Sequence, residues 1–348
     1  MPKLQIDVLI VLPILALGCL SLLVIYSLDK TLAVNQLLFW ATGALALFLA
    51  LNMRHEFWQK YSIHIYLVCV LLLVAVLIAG VEIRGANRWI SLGSLRLQPS
   101  EIAKIATIIL LATFYTGRST VNLLTHLSSF ALILPPFVLI AAQPDIGSAV
   151  SLIAIWLAIS FISGLKYRHI ILLVAAALVT LPLTYNLLAP YQKERLATYI
   201  NPQGDPLGAG YNIIQSKIAI GSGQLLGRGP GQGSQSQLKF LPEAESDFIF
   251  AAIVEQLGFL VGAVIIGSFG LILARIIAAR EDLDRFATLL AIGTASLIAY
   301  QATVNIGMNM GLIPVTGITL PLVSYGGSSL VSTLILLGII LSIKRLKY

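Results

Sequence analysis

The chain has 348 residues, of which 58% are hydrophobic and 11% are charged. A soluble protein of this length carries roughly a quarter charged residues, so the composition excludes an ordinary soluble domain and indicates a polytopic membrane protein. The net charge of +7 then reports on topology and does not predict a nucleic-acid partner. Cys19 and Cys69 lie inside apolar runs and are interpreted as small buried hydrophobes, and no His/Cys cluster has metal-ligand spacing.

Apolar runs of the length that a bilayer requires recur ten times along the chain. We predict an all-α polytopic integral membrane protein, a single domain over 1–348, with ten transmembrane helices. The predicted spans lie near 8–28, 33–51, 61–80, 101–117, 126–142, 147–164, 169–190, 247–275, 286–310 and 324–343. The first run is too long for a signal-peptide core, so we expect it to remain as a span. Spans five and six are joined only by residues 143–146, where Pro144 predicts a tight corner.

Lys and Arg are shared unevenly between the two sides of this bundle. The tails and even-numbered connections carry Lys3, Arg54, Lys60, Arg118, Lys166, Arg168, Arg275, Arg280, Arg285, Lys344, Arg345 and Lys347. The short odd-numbered connections carry Lys30, Arg84, Arg88 and Arg96. This asymmetry predicts that both termini are cytoplasmic. One large loop, 191–246 between spans seven and eight, is then extracytoplasmic, together with 81–100, 143–145 and 311–325. A reaction on that side has no ATP, so its activated substrate must come from the membrane.

The loop 81–100 alternates apolar and polar residues and contains Trp89 and three arginines. Arginines are disfavoured in a short outer loop, so their presence needs a reason. One reason is an anionic ligand such as a diphosphate. The alternative is an interfacial segment anchored by Trp89 and by snorkelling arginines.

Charged residues also occur at the predicted outer ends of the spans. Glu101 and Lys104 are three residues apart and share one helix face, where they either pair structurally or face a polar cavity. Ser100 can cap this helix. Asp145 can cap span six or line the same cavity.

The loop 191–246 is glycine-rich from 204 to 233, but no strand precedes a helix there, so we reject a nucleotide site and predict a mobile lid. At its end Glu243, Glu245 and Asp247 precede a long apolar run. They either begin a helix, with Ser246 or Asp247 as N-cap, or act on a substrate with a polar head and a lipid tail. The segment 305–329 combines prolines and glycines with apolar residues and is expected to fold back over an outer cavity.

Five motifs in order resemble the SEDS family of shape, elongation, division and sporulation proteins. They are Gly-Ala-Asn-Arg-Trp-Ile at 85–90, Gln-Pro-Ser-Glu-Ile-Ala-Lys at 98–104, Gln-Pro-Asp-Ile-Gly-Ser-Ala at 143–149, Leu-Pro-Glu-Ala-Glu-Ser-Asp-Phe-Ile-Phe-Ala at 241–251, and Gly-Leu-Ile-Pro-Val-Thr-Gly at 311–317 followed by Pro-Leu-Val-Ser-Tyr-Gly-Gly-Ser-Ser at 321–329. The resemblance covers nearly the whole chain. It is strongest to the RodA-type elongation members, because residues 233–238 are of that type and long terminal extensions are absent from the sequence.

The resemblance implies a peptidoglycan glycosyltransferase of the bacterial inner membrane that polymerises lipid II on the outer leaflet, for cell elongation and rod shape. It implies an undecaprenyl-diphosphate-linked glycan as the growing chain. The implied partners are a class B penicillin-binding protein and other elongation-complex membrane proteins. Asp247 falls on the family's catalytic aspartate. Substrate-binding positions are predicted at Arg88, Arg96, Glu101, Lys104, Asp145 and Glu243.

Three residues depart from the family pattern: Ser246 stands where Thr is usual, Gln256 where a second Glu is common, and Lys239 where an acid is frequent. The departures at 256 and 239 leave open whether Glu255 and the charge at position 239 have the roles that they have in the family.

The predicted mechanism is a direct displacement with inversion. Asp247 takes the proton of a sugar hydroxyl, and Arg88, Arg96 and Lys104 stabilise the departing diphosphate, with or without a divalent cation such as Mg²⁺ or Mn²⁺. No metal-ligand residues are assigned. The rival functions are a flippase for lipid-linked precursors, which would need alternating access but no base, and a non-enzymatic scaffold of a wall-synthesis complex.

Overall fold

The computed structural model describes residues 7–83, 86–92, 95–118, 120–184, 193, 197–206, 210–278 and 283–345. Arg280, one of the basic residues predicted to lie on the cytoplasmic side, and part of the loop 191–246 lie outside these residues.

Ten helices occupy the ten predicted span positions within the described residues, as the all-α prediction requires. They are α1 (Val8–Leu28), α2 (Lys30–Asn52), α4 (Ser62–Ala79), α5 (Pro99–Thr116), α6 (Leu123–Ala142), α7 (Ile146–Ile162), α8 (Tyr167–Thr184), α11 (Ile249–Ala278), α12 (Arg285–Asn309) and α13 (Gly327–Arg345). Six of them, α1, α2, α4, α6, α11 and α12, are long and apolar enough to cross a membrane by themselves. The chain is therefore a helical multi-pass membrane protein.

Short elements fill the connections. Helix α3 (His55–Lys60) links α2 to α4, and the long loop contains a 3-10 turn (Pro202–Gly204), α9 (Tyr211–Gly223) and α10 (Ser234–Gln237). The loop 81–100 forms an antiparallel sheet of β1 (Val81–Ile83), β2 (Ala86–Leu92) and β3 (Leu95–Leu97) in the order β1-β2-β3. Its alternating sequence is typical of strands, but the all-α prediction did not include it. The connection between α4 and α5, on the predicted outer side, is therefore an ordered sheet.

Close helix contacts hold the bundle together because lipid provides no hydrophobic driving force between spans. Helix α13 packs along α2, where a Cβ on Gly338 would lie 2.6 Å from the carbonyl oxygen of Leu47. Helices α5, α6 and α7 are joined by a buried hydroxyl: Tyr115 Oη lies 2.7 Å from Ser129 Oγ and 2.9 Å from Ser160 Oγ. Helix α12 runs through the middle of the bundle, where it packs against α5, α7 and α11.

Helix α11 is broken at Gly258, which the sequence did not indicate. Gly258 has φ 86° and ψ 172°, a conformation that is essentially restricted to glycine. The carbonyls of Glu255 and Gln256 accept hydrogen bonds from the backbone N–H groups of Arg228 and Gly229 at 3.0 and 2.9 Å. Beyond the break, the N–H of Phe259 donates to the carbonyl of Gln224 at 2.8 Å. The glycine-rich segment thus satisfies backbone groups that lipid could not.

Gly258→Ala is expected to destabilise the protein by roughly 1–3 kcal/mol, the cost of forcing a side chain into such a backbone conformation. In addition, the new Cβ would lie 2.3 Å from the carbonyl oxygen of Leu225. Thermal unfolding of the purified protein in detergent measures the effect. Gly267→Ala is the matched control, because it lies in the same helix with no atom near its Cβ position, so it should leave stability unchanged or raise it. Equal melting temperatures for the two variants would contradict the assigned break.

Candidate active site

The turn 241–248, just before α11, carries the candidate base Asp247. Its backbone is held in place by hydrogen bonds to three consecutive carbonyl oxygens. Glu245 O accepts from Tyr325 N at 2.8 Å and Ser246 O from Ser324 Oγ at 2.7 Å. Asp247 O accepts from two side-chain amides of α12, Asn305 Nδ2 at 3.0 Å and Asn309 Nδ2 at 2.9 Å. The turn therefore has a fixed backbone beneath its carboxylates.

Glu243 shapes the start of this turn. Its φ of 55° is left-handed, which costs an ordinary residue roughly 1–2 kcal/mol. Its carboxylate accepts a hydrogen bond from Ser246 Oγ at 2.8 Å, and its carbonyl accepts from Phe248 N at 3.0 Å. Strained backbone of this kind is concentrated at functional sites. Since α11 begins only at Ile249, Ser246 and Asp247 lie in the turn, ahead of the helical residues.

Residues 311–326, which lie within the segment 305–329, cover the same end of the bundle, while 305–309 belong to α12 and 327–329 to α13. Gly317 has φ 75°, and a Cβ there would lie 3.6 Å from Asp247 Oδ2, so this backbone borders the carboxylate directly. Next to it, Ile318 packs on Gly147 of α7, where a Cβ would lie 2.7 Å from Ile318 Cγ1. The segment thereby joins the turn that carries Asp247 to the α6–α7 corner.

That corner collects two further predicted residues. Arg88, on β2, donates through Nε to the carbonyl of Gln143 at 2.9 Å and through Nη2 to the carbonyl of Pro144. Asp145 caps α7 by accepting from Ser148 N at 3.2 Å, and it also accepts from the Gln98 side chain at 3.4 Å. The capping role of Asp145 is thus present in the structure. Arg88 fixes the sheet to the corner and keeps further N–H donors, since a guanidinium has five.

Glu101 and Lys104 form a buried ion pair one turn into α5. Lys104 Nζ lies 2.6 Å from Glu101 Oε1, and the two side chains are only 2% and 8% exposed. Helix α5 begins at Pro99 with Gln98 at the N-cap position, so the predicted cap at Ser100 is wrong. Ser100 Oγ is buried and has no hydrogen-bond partner among the described residues. Arg96, the central residue of β3, is exposed, and its carbonyl accepts from Ser328 Oγ at 3.1 Å.

The glycine-rich part of the loop is fastened to α11, in contrast to the predicted mobile lid. Glu255, fully buried, accepts from the backbone N–H groups of Gln235 and Ser236 at 2.7 and 3.0 Å. Gln256 accepts from Gly231 N at 3.0 Å and from Ser27 Oγ at 2.7 Å. The uncharged Gln256 therefore takes part in the hydrogen bonds that hold the loop, and Glu255 has a structural role.

Lys239, the third residue that departs from the family pattern, does not take part in these contacts of Glu255 and Gln256. It is exposed and left-handed, with φ 59°. The pKa of Asp29 is lowered chiefly by the backbone N–H groups of Leu32 and Thr31, with a smaller contribution from the charge of Lys239. Lys239 thus lies near the junction between α1 and α2.

The structure gathers the predicted residues around one end of the bundle, in two groups joined by 311–326. Asp247 and Glu243 lie in one group, and Arg88, Asp145 and the start of α5 lie in the other. Asn305 and Asn309 are not among the predicted site residues. Their signal was present: two amides four residues apart on an apolar span mark one polar face.

This fold and site define a class of protein: a helical multi-pass membrane protein with an acidic turn and basic residues at one end of its bundle. The family model for FtsW, RodA and SpoVE, described as "Cell cycle protein", matches residues 2–348, and the chain belongs to that family. This confirms the SEDS resemblance.

The relatives cover almost the whole chain. Peptidoglycan glycosyltransferase MrdB of Escherichia coli (strain K12) is 39% identical over 98% of this chain and 94% of its own. Stage V sporulation protein E of Bacillus subtilis (strain 168) is 37% identical over 97% of each chain. A probable peptidoglycan glycosyltransferase FtsW from Trichlorobacter lovleyi is 35% identical over 97% of this chain and 92% of its own.

Two solved structures share the fold. One, described as "Structural coordination of polymerization and crosslinking by a peptidoglycan synthase complex", superposes with a TM-score of 0.86 at 34% identity over 99% of each chain. The other, rod shape determining protein RodA of Thermus thermophilus, superposes with a TM-score of 0.76 at 30% identity, over 100% of this chain and 99% of that chain.

Proposed function

We propose that this chain is a peptidoglycan glycosyltransferase that polymerises lipid II on the outer leaflet of the bacterial inner membrane, with Asp247 as general base. Relatives named peptidoglycan glycosyltransferase support the enzyme class. The observation that carries the role of Asp247 is its carboxylate on a turn whose three carbonyls are hydrogen-bonded, bordered by the backbone of Gly317. A fixed carboxylate of this kind can meet a substrate at the membrane boundary.

The proposed reaction is a single displacement at an anomeric carbon. Asp247 accepts the proton of the acceptor sugar hydroxyl, and the oxygen of that hydroxyl forms the new glycosidic bond. The bond between the anomeric carbon and the lipid diphosphate breaks, and the diphosphate leaves with the electron pair. One attack from the opposite face inverts the configuration, so a single carboxylate suffices.

Positive charge is required where the diphosphate departs. Arg88 has N–H donors beyond those that bind the α6–α7 corner, Arg96 is exposed on the edge strand β3, and Lys104 is paired with Glu101. We assign these three residues to the diphosphate, and Glu101, Asp145 and Glu243 to positioning them and the substrate.

A divalent cation remains part of the proposal as an assistant to the leaving group. Among the described residues, no group of three or more His, Cys, Asp or Glu side chains could hold a metal ion. The donor set therefore does not form a protein cage. Mg²⁺ often binds through one or two carboxylates and substrate phosphates, which fits Glu243 together with a diphosphate.

The role in elongation and rod shape, and the partners, also belong to this proposal. RodA-type features at 233–238 and the similarity to MrdB and RodA support an elongation role. The structural relative described as part of a peptidoglycan synthase complex supports a class B penicillin-binding protein as partner, with other elongation-complex membrane proteins around the pair.

A polymerisation assay tests the proposal against its rivals. The full-length chain in detergent, alone and with a class B penicillin-binding protein, is incubated with labelled lipid II, and the products are resolved on a gel. Polymer formed without any vesicle compartment is the expected result, and it excludes transport as the sole activity. No polymer in either arm would favour the flippase or scaffold. The broken α11 does not support a flippase, because the loop satisfies its backbone groups without an ion or substrate.

The proposed orientation predicts opposite labelling of two exposed positions. In a background with Cys19 and Cys69 replaced by Ala, a cysteine at Ile200, in the loop 191–246, should react with an impermeant maleimide in spheroplasts. A cysteine at Arg54, between α2 and α3, should react only after the membrane is permeabilised. Both side chains are exposed, so access and not burial decides the result. Labelling of position 54 from outside would reverse the assigned topology.

A further inference from the structure

Asn305 and Asn309 are fully buried and lie four residues apart on α12, so they share one face. Their side-chain amides converge on the same atom, the carbonyl oxygen of Asp247, at 3.0 and 2.9 Å. A backbone carbonyl that receives two side-chain donors is held from two directions. This pair therefore fixes both the position and the tilt of the peptide group that follows the Asp247 side chain.

Each asparagine makes a second connection. Asn305 Nδ2 also donates to the carbonyl of Ile318 at 2.7 Å, next to Gly317, which borders the Asp247 carboxylate. Asn309 Oδ1 accepts from Ala251 N at 3.0 Å and so satisfies an N–H in the first turn of α11. The two amides thus hold the turn, the segment that borders it and the helix that follows it to a single span.

We propose that Asn305 and Asn309 are positioning residues, which place the Asp247 carboxylate at the distance and angle required to take a proton from the acceptor hydroxyl. The inference rests on the proposed role of Asp247 as general base. A displacement of about 1 Å at a reacting group can cost roughly 10²-fold in rate. The amides thus act on catalysis through the backbone of Asp247, without touching the substrate.

Asn309→Asp separates this role from the support of α11. The carboxylate keeps an oxygen for Ala251 N, so the N-terminus of α11 stays capped, but the donor to Asp247 O is replaced by an acceptor. Asn305→Ser is a second variant, which removes the donors to Asp247 O and Ile318 O without adding charge. Since Asn309 is fully buried, Asn305→Ser also controls for the cost of burying a carboxylate. Asn52→Asp, in an exposed position at the end of α2, controls for the change from Asn to Asp itself.

The measurements are kcat and KM of lipid II polymerisation, with kcat divided by the folded fraction from thermal unfolding. We expect kcat to fall roughly 10- to 100-fold in Asn309→Asp and Asn305→Ser, with KM changed less than about twofold. Asn52→Asp should match the parent. A purely structural role would lower the folded fraction but not the rate of the folded protein.

A double-mutant cycle with Asp247→Asn completes the test. If the asparagines act through Asp247, Asp247→Asn combined with Asn309→Asp is no slower than Asp247→Asn alone, because the base is already absent. A further loss in the double variant, or a parent kcat in both asparagine variants, overturns the inference while leaving Asp247 as the base. Parent activity in Asp247→Asn itself overturns the proposed base and this inference together.

Discussion

Asp247→Asn is expected to lower the rate of lipid II polymerisation by at least about 10²-fold, the loss typical of removing a positioned general base. Folding should be retained, because α12 holds the turn through the backbone carbonyl of Asp247, which the substitution leaves in place. Membrane insertion and thermal stability should therefore equal those of the parent. The measurement is the initial rate of polymer formation at equal amounts of folded protein.

Two variants sharpen this expectation. Asp247→Glu should also be impaired, since the extra methylene moves the carboxylate on a turn whose backbone cannot compensate. Asp284→Asn is the control, because Asp284 caps the opposite end of α12 through Ala287 N at 3.0 Å, and Asn caps about as well as Asp. If Asp247→Asn polymerises lipid II at the parent rate, Asp247 is not the base, and Glu243 and Glu245 in the same turn are tested next.

The sequence predicted the membrane architecture because each span is a local property of about 20 consecutive residues. The corner at 143–146 was predictable for the same reason, since a proline between two apolar runs disfavours helical backbone at the residue before it. The break at Gly258 was not predictable, because Gly258 lies inside an apolar run. Its cause is distant in sequence: the carbonyls and N–H groups of residues 224–229 replace the missing helical partners.

Some residues of the candidate site could likewise be recognised from the sequence, whereas their contacts could not. A charged residue at the end of a span can be recognised from the sequence, because a charge near the membrane core is costly in free energy and is therefore a candidate for function. This criterion identified Asp247, Glu101 and Lys104. Their partners were less visible. Nothing local indicates that Arg88 binds the carbonyls of the α6–α7 corner, or that Asn305 and Asn309 meet at Asp247 O. Such contacts join residues 55 to 62 positions apart, so they depend on packing that a local pattern does not specify.

Lys104→Met is expected to destabilise the protein by about 3–5 kcal/mol, because it leaves the carboxylate of Glu101 buried without its partner. Both side chains are almost fully buried, so solvent does not screen the loss. Met fills the space of the lysine stem, and the effect is therefore electrostatic. Thermal unfolding in detergent measures it. The neutral double variant Glu101→Gln with Lys104→Met should regain most of this stability, since no charge then remains unpaired.

The charge-reversed variant Glu101→Lys with Lys104→Glu separates the structural role of the pair from a role in the site. It restores an ion pair between positions 101 and 104, so the melting temperature should recover more than the rate of polymerisation. If Lys104 faces the departing diphosphate, a carboxylate in its place repels that group and activity stays low. Full recovery of both stability and activity would show that α5 needs only the paired charges, and Lys104 would then leave the set of diphosphate-binding residues.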